Sequence, residues 1–415
     1  MSDRNIFKRL LAGCVLMLLV ACGNEHDIRT RIDGDWHRQT LEKDHLEHWL
    51  KVLPTTNGYF NTAVTRNWQV LDLQPGDIVS HTRAIYLMAV GHELTGNPAY
   101  LEQVRLGTNF LLEQFRDPLH GGWAEAVSPD GKLKNGNKRL YSQAFVIFAL
   151  AHAYRTTHDP SYLEAARLTW QDIRLRFADG KGGYRAGMNR DFSSRMTNNT
   201  QNPIMHLFEA LLALHQASSD PAVLQDAESV AKFVAYRLME GLPDGTARIA
   251  ELYDDDWRPL SSERGGYIDI GHQFEWAFLF SAGSEAGLSA IYAEVANRLI
   301  DYAIANGYDT GESGVRASIT PDGKINRQRG FWQQAEALRA LMHHAAIRDR
   351  SDLWGRVTQM TEYIRSEFLD EIHGGWYIGG VTECRKNRCS DRQPDGYHMT
   401  ALHQEAIRIA ARGRK

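Results

Sequence analysis

The sequence predicts an all-α protein, an (α/α)6 barrel with short β-hairpins in the loops on one face. Three observations predict it. Glycine turns recur at a mean spacing of roughly 63 residues: Asn57-Gly58-Tyr59, Gly121-Gly122-Trp123, Gly182-Gly183-Tyr184, Gly265-Gly266-Tyr267, Ser313-Gly314-Val315 and Gly374-Gly375-Trp376. After each turn come a polar connection and a mainly apolar helical segment, beginning near Ile85, Tyr141, Met205, Phe274, Phe331 and Met399. Between these segments lie amphipathic stretches such as 161–177, 221–239 and 289–305, with apolar residues at helical spacing. Six such pairs can stack as an open solenoid or close into a ring. Six repeats with the long turns on one face favour the ring, which leaves one central funnel.

At the N-terminus, Arg4, Lys8 and Arg9 precede an apolar run from Leu10 to Val20. About eleven apolar residues are too few to span a bilayer. The run ends in Leu19-Val20-Ala21-Cys22-Gly23, which resembles the lipobox of bacterial lipoproteins. Residues 1–21 therefore read as a signal peptide. Cys22 is the expected lipidation site, and 22–35 a lipidated tether. Glycine rather than aspartate after the cysteine points to the periplasmic face of the outer membrane. No linker rich in Pro, Gly or Ser interrupts 36–415, which reads as one domain.

Within that domain, 122–127 and 132–135 form an expected strand pair across Pro129-Asp130-Gly131. Asp159-Pro160-Ser161 and Asp220-Pro221 are helix starts, with an acidic cap and proline in the first turn. Of four cysteines, Cys14 leaves with the signal peptide. Cys384 and Cys389, in Cys-Arg-Lys-Asn-Arg-Cys, are expected to form a disulfide in an oxidising periplasm. Two thiols without further ligands nearby make no zinc site, so no metal is expected.

Composition narrows the function. At 43% hydrophobic over 415 residues the chain can bury a large core. A net charge of −4 shows no basic excess for nucleic acid. The expected partner is a small molecule, with the membrane met only through the lipid anchor. Monomer and homodimer both remain open.

Polar residues recur at one depth of the apolar helices. The third carries Asn202-Pro203-Ile204-Met205-His206-Leu207-Phe208-Glu209-Ala210. The fourth carries Gly271-His272-Gln273-Phe274-Glu275-Trp276, and the fifth Trp332-Gln333-Gln334-Ala335-Glu336-Ala337. Pro394-Asp395-Gly396-Tyr397-His398 opens the sixth, and Arg83 opens the first. His206 with Glu209, and His272 with Glu275, are three apart and share a helix face. A carboxylate beside an imidazole fixes its tautomer and raises its pKa. A lone histidine on an apolar helix is usually a satisfied core group, and Glu209 or Glu336 could merely cap loops. Burying so many such groups separately would cost several kcal/mol each. One shared polar cavity explains them together.

These motifs, in this order over roughly 45–410, resemble the N-acylglucosamine 2-epimerase superfamily, with its cellobiose 2-epimerases, mannose isomerases and sulfoquinovose isomerases. The resemblance implies an (α/α)6 barrel and proton transfer at the carbon beside a sugar carbonyl, through an enediol, without a cofactor. It implies that His272 and His398 are the acid/base pair and that Arg83 steadies the developing oxyanion. His206 would bind the sugar and assist ring opening, with Glu209 and Tyr397 beside it. Glu275 and Glu336 would be supporting carboxylates, and Trp332 a stacking wall. Epimerases of this family commonly carry Arg and Lys where this chain has Ala401 and Pro394. Pro-Asp-x-Tyr-His and Gly-His-x-x-Glu-Trp match the isomerases, whereas Trp332-Gln333-Gln334-Ala335-Glu336 looks more like the epimerases. The favoured reading is an aldose–ketose isomerase acting on an unphosphorylated, mannose-like sugar, with 2-epimerisation as the alternative. A glycoside hydrolase using two of Asp269, Glu275, Glu336 and the Asp254-Asp255-Asp256 run, or a glycan-binding lipoprotein, are the remaining readings.

Overall fold

A computed structural model of the chain describes residues 31–72, 75–311, 313–386, 388 and 390–412. The expected signal peptide, Cys22, the tether up to residue 30, and Cys389 lie outside the described residues. Asp33 accepts the Trp36 backbone N–H and starts a helix at Gly34, two residues before the expected start of the domain.

Among the described residues, six inner helices alternate with six outer ones. The inner helices are Ile78–Thr95, Leu140–Thr157, Asn202–Ser218, Ile270–Glu285, Phe331–Ile347 and Tyr397–Arg412. The outer helices begin at Gly34, Pro98, Pro160, Pro221, Ile291 and Trp354. Consecutive inner helices pack on one another, and the sixth returns to the first, so the ring is closed. The first, second and fourth inner helices are covered by neighbours on all sides and are apolar all round, whereas the sixth keeps a polar face with Gln404, Arg408 and Arg412. An outer helix buries one stripe only.

The first inner helix starts at Ile78, earlier than the expected Ile85. Asp77 caps it by accepting the Ser80 N–H at 2.9 Å, a signal hidden among polar loop residues. Proline occupies the first turn of the second, third and fourth outer helices, where its missing N–H costs nothing.

The connections from outer to inner helices lie on one face and stitch neighbouring units together. Residues just before an inner helix pair with the hairpin of the next unit: Gly76–Asp77 with Ala126–Val127, Lys138–Arg139 with Gly187–Met188, Asn199–Thr200 with Leu252–Tyr253, and Ile268–Asp269 with Ser318–Ile319. A bridge from Thr65 to Arg392 joins the last unit to the first. The expected pairing of 122–127 with 132–135 is a shorter one, Ala126–Val127 with Leu133–Asn135, widened to three strands by Gly76–Asp77.

Glutamine amides on three inner helices clasp the chain that leads into the mouth, two of them at glycine turns. Gln143 bonds both backbone groups of Trp123, Gln334 both of Val315, and Gln273 both of Ile249. Gln273 and Gln334, although inside the quoted motifs, thus hold the scaffold. The result is six inner-helix N-termini gathered at one mouth. Among the described residues, no helix is long and apolar enough to cross a membrane.

Candidate active site

The residues expected to carry chemistry all stand on the N-terminal turns of inner helices, beneath this mouth. Asp269 caps the fourth inner helix through the His272 N–H, which sets His272 in the first turn. Gly271 makes room for its neighbour, since a Cβ there would lie 2.6 Å from the Trp332 ring. Trp332 in turn packs against both expected acid/base groups, its ring centroid 4.9 Å from that of His272 and 5.5 Å from that of His398. Gly396 has φ 84°, and a Cβ there would meet the His45 ring at 2.6 Å. Only glycine lets the chain turn into Tyr397 and His398 at this point.

Each imidazole is oriented by a buried carboxylate. His398 Nδ1 lies 2.8 Å from Glu336 Oε1, and His206 Nδ1 lies 3.0 Å from Glu209 Oε2. Ionised carboxylates only accept, so Nδ1 carries hydrogen in both rings and Nε2 is left for other work. His272 departs from expectation. Its Nδ1 bonds Glu251 Oε2 at 2.7 Å rather than Glu275. Glu251 sits on the loop between the strands Ala247–Ile249 and Leu252–Tyr253, beside the first helical turn, while Glu275 lies one turn deeper. Helical spacing places two residues on one face but does not decide which partner arrives from a loop.

Glu251 is itself fixed. Gln201 Nε2 donates to Glu251 Oε2 at 2.7 Å, Thr200 Oγ1 donates to its other oxygen at 3.1 Å, and Trp276 Nε1 donates to the Gln201 carbonyl at 2.5 Å. Burial disfavours charge on His272, but the Glu251 and Asp269 carboxylates outweigh it and hold the imidazole up at about 10. His206 behaves in the opposite way. Burial dominates, Glu209 compensates only in part, and the ring falls to about 4, so it is neutral at pH 7.

Arg83 forms an ion pair with Asp395, donates to the Tyr141 hydroxyl at 2.7 Å, and lies over the Phe145 and Tyr397 rings. Burial opposes its charge, yet Asp395 keeps the guanidinium charged. Tyr397 is fully buried and donates to Glu209, so its hydroxyl supports a neighbour instead of facing a ligand. Glu336 bonds His398 and Arg339, with Arg339 Nη1 at 3.3 Å. Neither Glu209 nor Glu336 caps a loop.

Glu275 is fully buried, and neither of its oxygens has a hydrogen-bond partner among the described residues. Burial first, then the nearby Glu336, push it well above the usual carboxylate range. It is therefore an uncharged acid, able to donate a hydrogen bond. Two overlapping groups, His206 with Glu209 and Glu275, and Glu275 with Glu336 and His398, bring ligand atoms within 4.8 Å of one another. A divalent ion held there would compete for the carboxylates that orient the two histidines.

The acidic run is a solvated loop. Asp254 accepts the N–H groups of Asp256 and Arg258, Asp255 pairs with Arg195, and Asp256 with Lys181. Cys384 is disulfide-bonded in the one-turn helix Val381–Arg385. Sequence reasoning missed Glu251, Gln201, Tyr141 and Arg339, which carry no motif signal. Asp395 lies within the Pro-Asp-Gly-Tyr-His motif, but its pairing with Arg83 has no sequence signal.

The profile of the N-acylglucosamine 2-epimerase (GlcNAc 2-epimerase) family matches residues 58–400. The chain is similar to the cellobiose 2-epimerase of Bacteroides fragilis, 21% identical over 370 residues, covering 84% of this chain and 91% of that protein. It is also similar to the D-mannose isomerase of Marinomonas mediterranea, 25% identical over 351 residues, covering 81% and 87%. A crystal structure of a D-mannose isomerase superposes with a TM-score of 0.82 at 22% identity, over 90% of this chain and 97% of the other.

Proposed function

Because the chain belongs to the N-acylglucosamine 2-epimerase family, a family of sugar isomerases and epimerases, we propose that it interconverts an unphosphorylated, mannose-type aldose with its ketose. The observation that carries the mechanism is the pair of carboxylate-oriented imidazoles on one tryptophan. His272, held charged by Glu251, is unsuited to be the base, so that role falls to His398. Its Nε2 removes the proton from C2 of the open-chain aldose. The electron pair moves into the C1–C2 bond, and negative charge develops on O1. Arg83 steadies that charge. Charged His272 gives its proton to O1, forming the enediol, and then takes the O2 proton as His398 returns its own proton to C1, which gives the ketose. In a 2-epimerase, His272 would return a proton to the opposite face of C2. Neutral His206, backed by Glu209, is placed to bind a hydroxyl and assist ring opening.

Epimerisation is the second reading, favoured by the Trp332-Gln333-Gln334-Ala335-Glu336 segment. Proton NMR in D2O with mannose, glucose, fructose, N-acetylglucosamine and cellobiose separates the two. Fructose formed from mannose is the expected result. A C2 epimer carrying deuterium at C2 would instead establish the epimerase. No exchange into any sugar would sink both.

The lipobox-like segment supports a second part of the reading, export and acylation at Cys22 on the periplasmic face of the outer membrane. Cys22→Ser is expected to move the protein from the membrane to the soluble fraction of cells. A wild-type chain already soluble would refute the anchor without touching the chemistry.

A further inference from the structure

A cavity of about 780 Å³ opens at the other end of the barrel, among the C-terminal halves of the inner helices. His272, His398 and Trp332 do not line it, so it is not the reaction site. Tyr86, Glu209 and Arg339 line it, and Glu209 and Arg339 also hold active-site side chains. One layer of side chains therefore separates the two spaces.

The volume suits a small ligand. The walls offer the rings of Tyr86, Phe148 and Phe278, together with the amides of Gln216 and Gln404. The charges there are already matched. Arg408 pairs with Glu405 at 2.7 Å, Arg412 with Glu285 at 2.8 Å, and Arg155 with Glu93 at 3.8 Å. Helix C-termini also direct negative partial charge to this end. An anion would find little unclaimed positive charge. A neutral molecule with hydroxyls around an apolar ring face would find aromatic surface and side-chain amides.

Arg339 forms part of the wall. It is 9% exposed, its guanidinium lies 3.7 Å over the Phe278 ring, and its Nε has no hydrogen-bond partner among the described residues. That Nε is covered by protein, so Arg339 serves the wall through its packing on Phe278. His152, packed between Tyr86 and Phe148, lines the same wall.

We propose that this lower cavity is a second ligand site, for a neutral polyol of monosaccharide size. The inference stands on the cavity's own chemistry and goes beyond the reaction proposed above.

The test is calorimetric titration of the full chain with 1,5-anhydromannitol, a cyclic polyol that lacks the anomeric hydroxyl and cannot open. Two molecules per chain are expected. Ala213→Trp, which fills the lower cavity from the third inner helix, should leave one, with turnover of the reactive sugar unchanged within about twofold. Trp332→Ala should retain the lower site while weakening the upper. If Ala213→Trp fails to fold, Gln404→Leu replaces it and should weaken the lower site about tenfold. A single molecule per chain, abolished by Trp332→Ala and indifferent to both cavity variants, would overturn the proposal and leave the cavity to water. Absence of turnover with intact binding to the lower site would count against the reaction alone.

Discussion

His398→Ala is expected to lower kcat at least a hundredfold while leaving the fold intact, and His272→Ala to do the same. Each ring is less than a tenth exposed and stands at the funnel mouth, so its loss leaves a small cavity open to solvent instead of a collapsed core. Glu251→Gln is the finer probe. Glutamine keeps a bond to His272 but removes the charge that holds the imidazole at about 10. His272 should then titrate near the ordinary histidine value of 6.5, and activity at pH 8 should fall about ten- to a hundredfold while activity at pH 6 changes little. Turnover and pH–rate profiles check these results. Near-normal turnover in either alanine variant, or an unshifted profile in Glu251→Gln, would sink the two-histidine mechanism.

The second large effect is acid unfolding. Burial drives His37, His152 and His344 down to about 3, and His45, His81 and His206 to about 4, from 6.5. A depressed folded pKa gives stability that is complete above the unfolded value and is lost as pH falls towards the folded one. The window is therefore 6.5 down to about 4. Each histidine costs at most about 1.4 kcal/mol per pH unit within it. Three of them acting over two units remove about as much as an ordinary domain possesses. His272, raised to about 10, acts in the opposite sense, with stability present below 6.5 and lost as pH rises through 10. Urea midpoints followed by far-UV circular dichroism should fall steeply from pH 7 to pH 5. Equal midpoints at the two values would show that these rings are not buried neutral in the folded protein.

Position in the repeat made the architecture legible. Six glycine turns, each followed by an apolar segment and separated by amphipathic ones, specify six helix pairs, because a helix enclosed on all sides must be apolar all round and an outer one need not be. The first inner helix starts earlier than its apolar run suggests, because a single aspartate, Asp77, marks its start.

By itself the sequence determined the barrel, the family, and the residues His272, His398, His206, Arg83 and Trp332 as candidates. These are carried by local signals: spacing, caps and short motifs. Only the tertiary structure decided which groups pair. Glu251 reaches His272 from a loop 21 residues away, Asp395 reaches Arg83 across 312 residues, and Tyr397 reaches Glu209 across 188. The physical reason is that closing the ring brings the first and sixth inner helices together, and burial then sets each group's charge according to the partner it meets there. Periodicity fixes a side chain's place on its own helix. What stands opposite it, and therefore which proton it holds, is fixed by the closure.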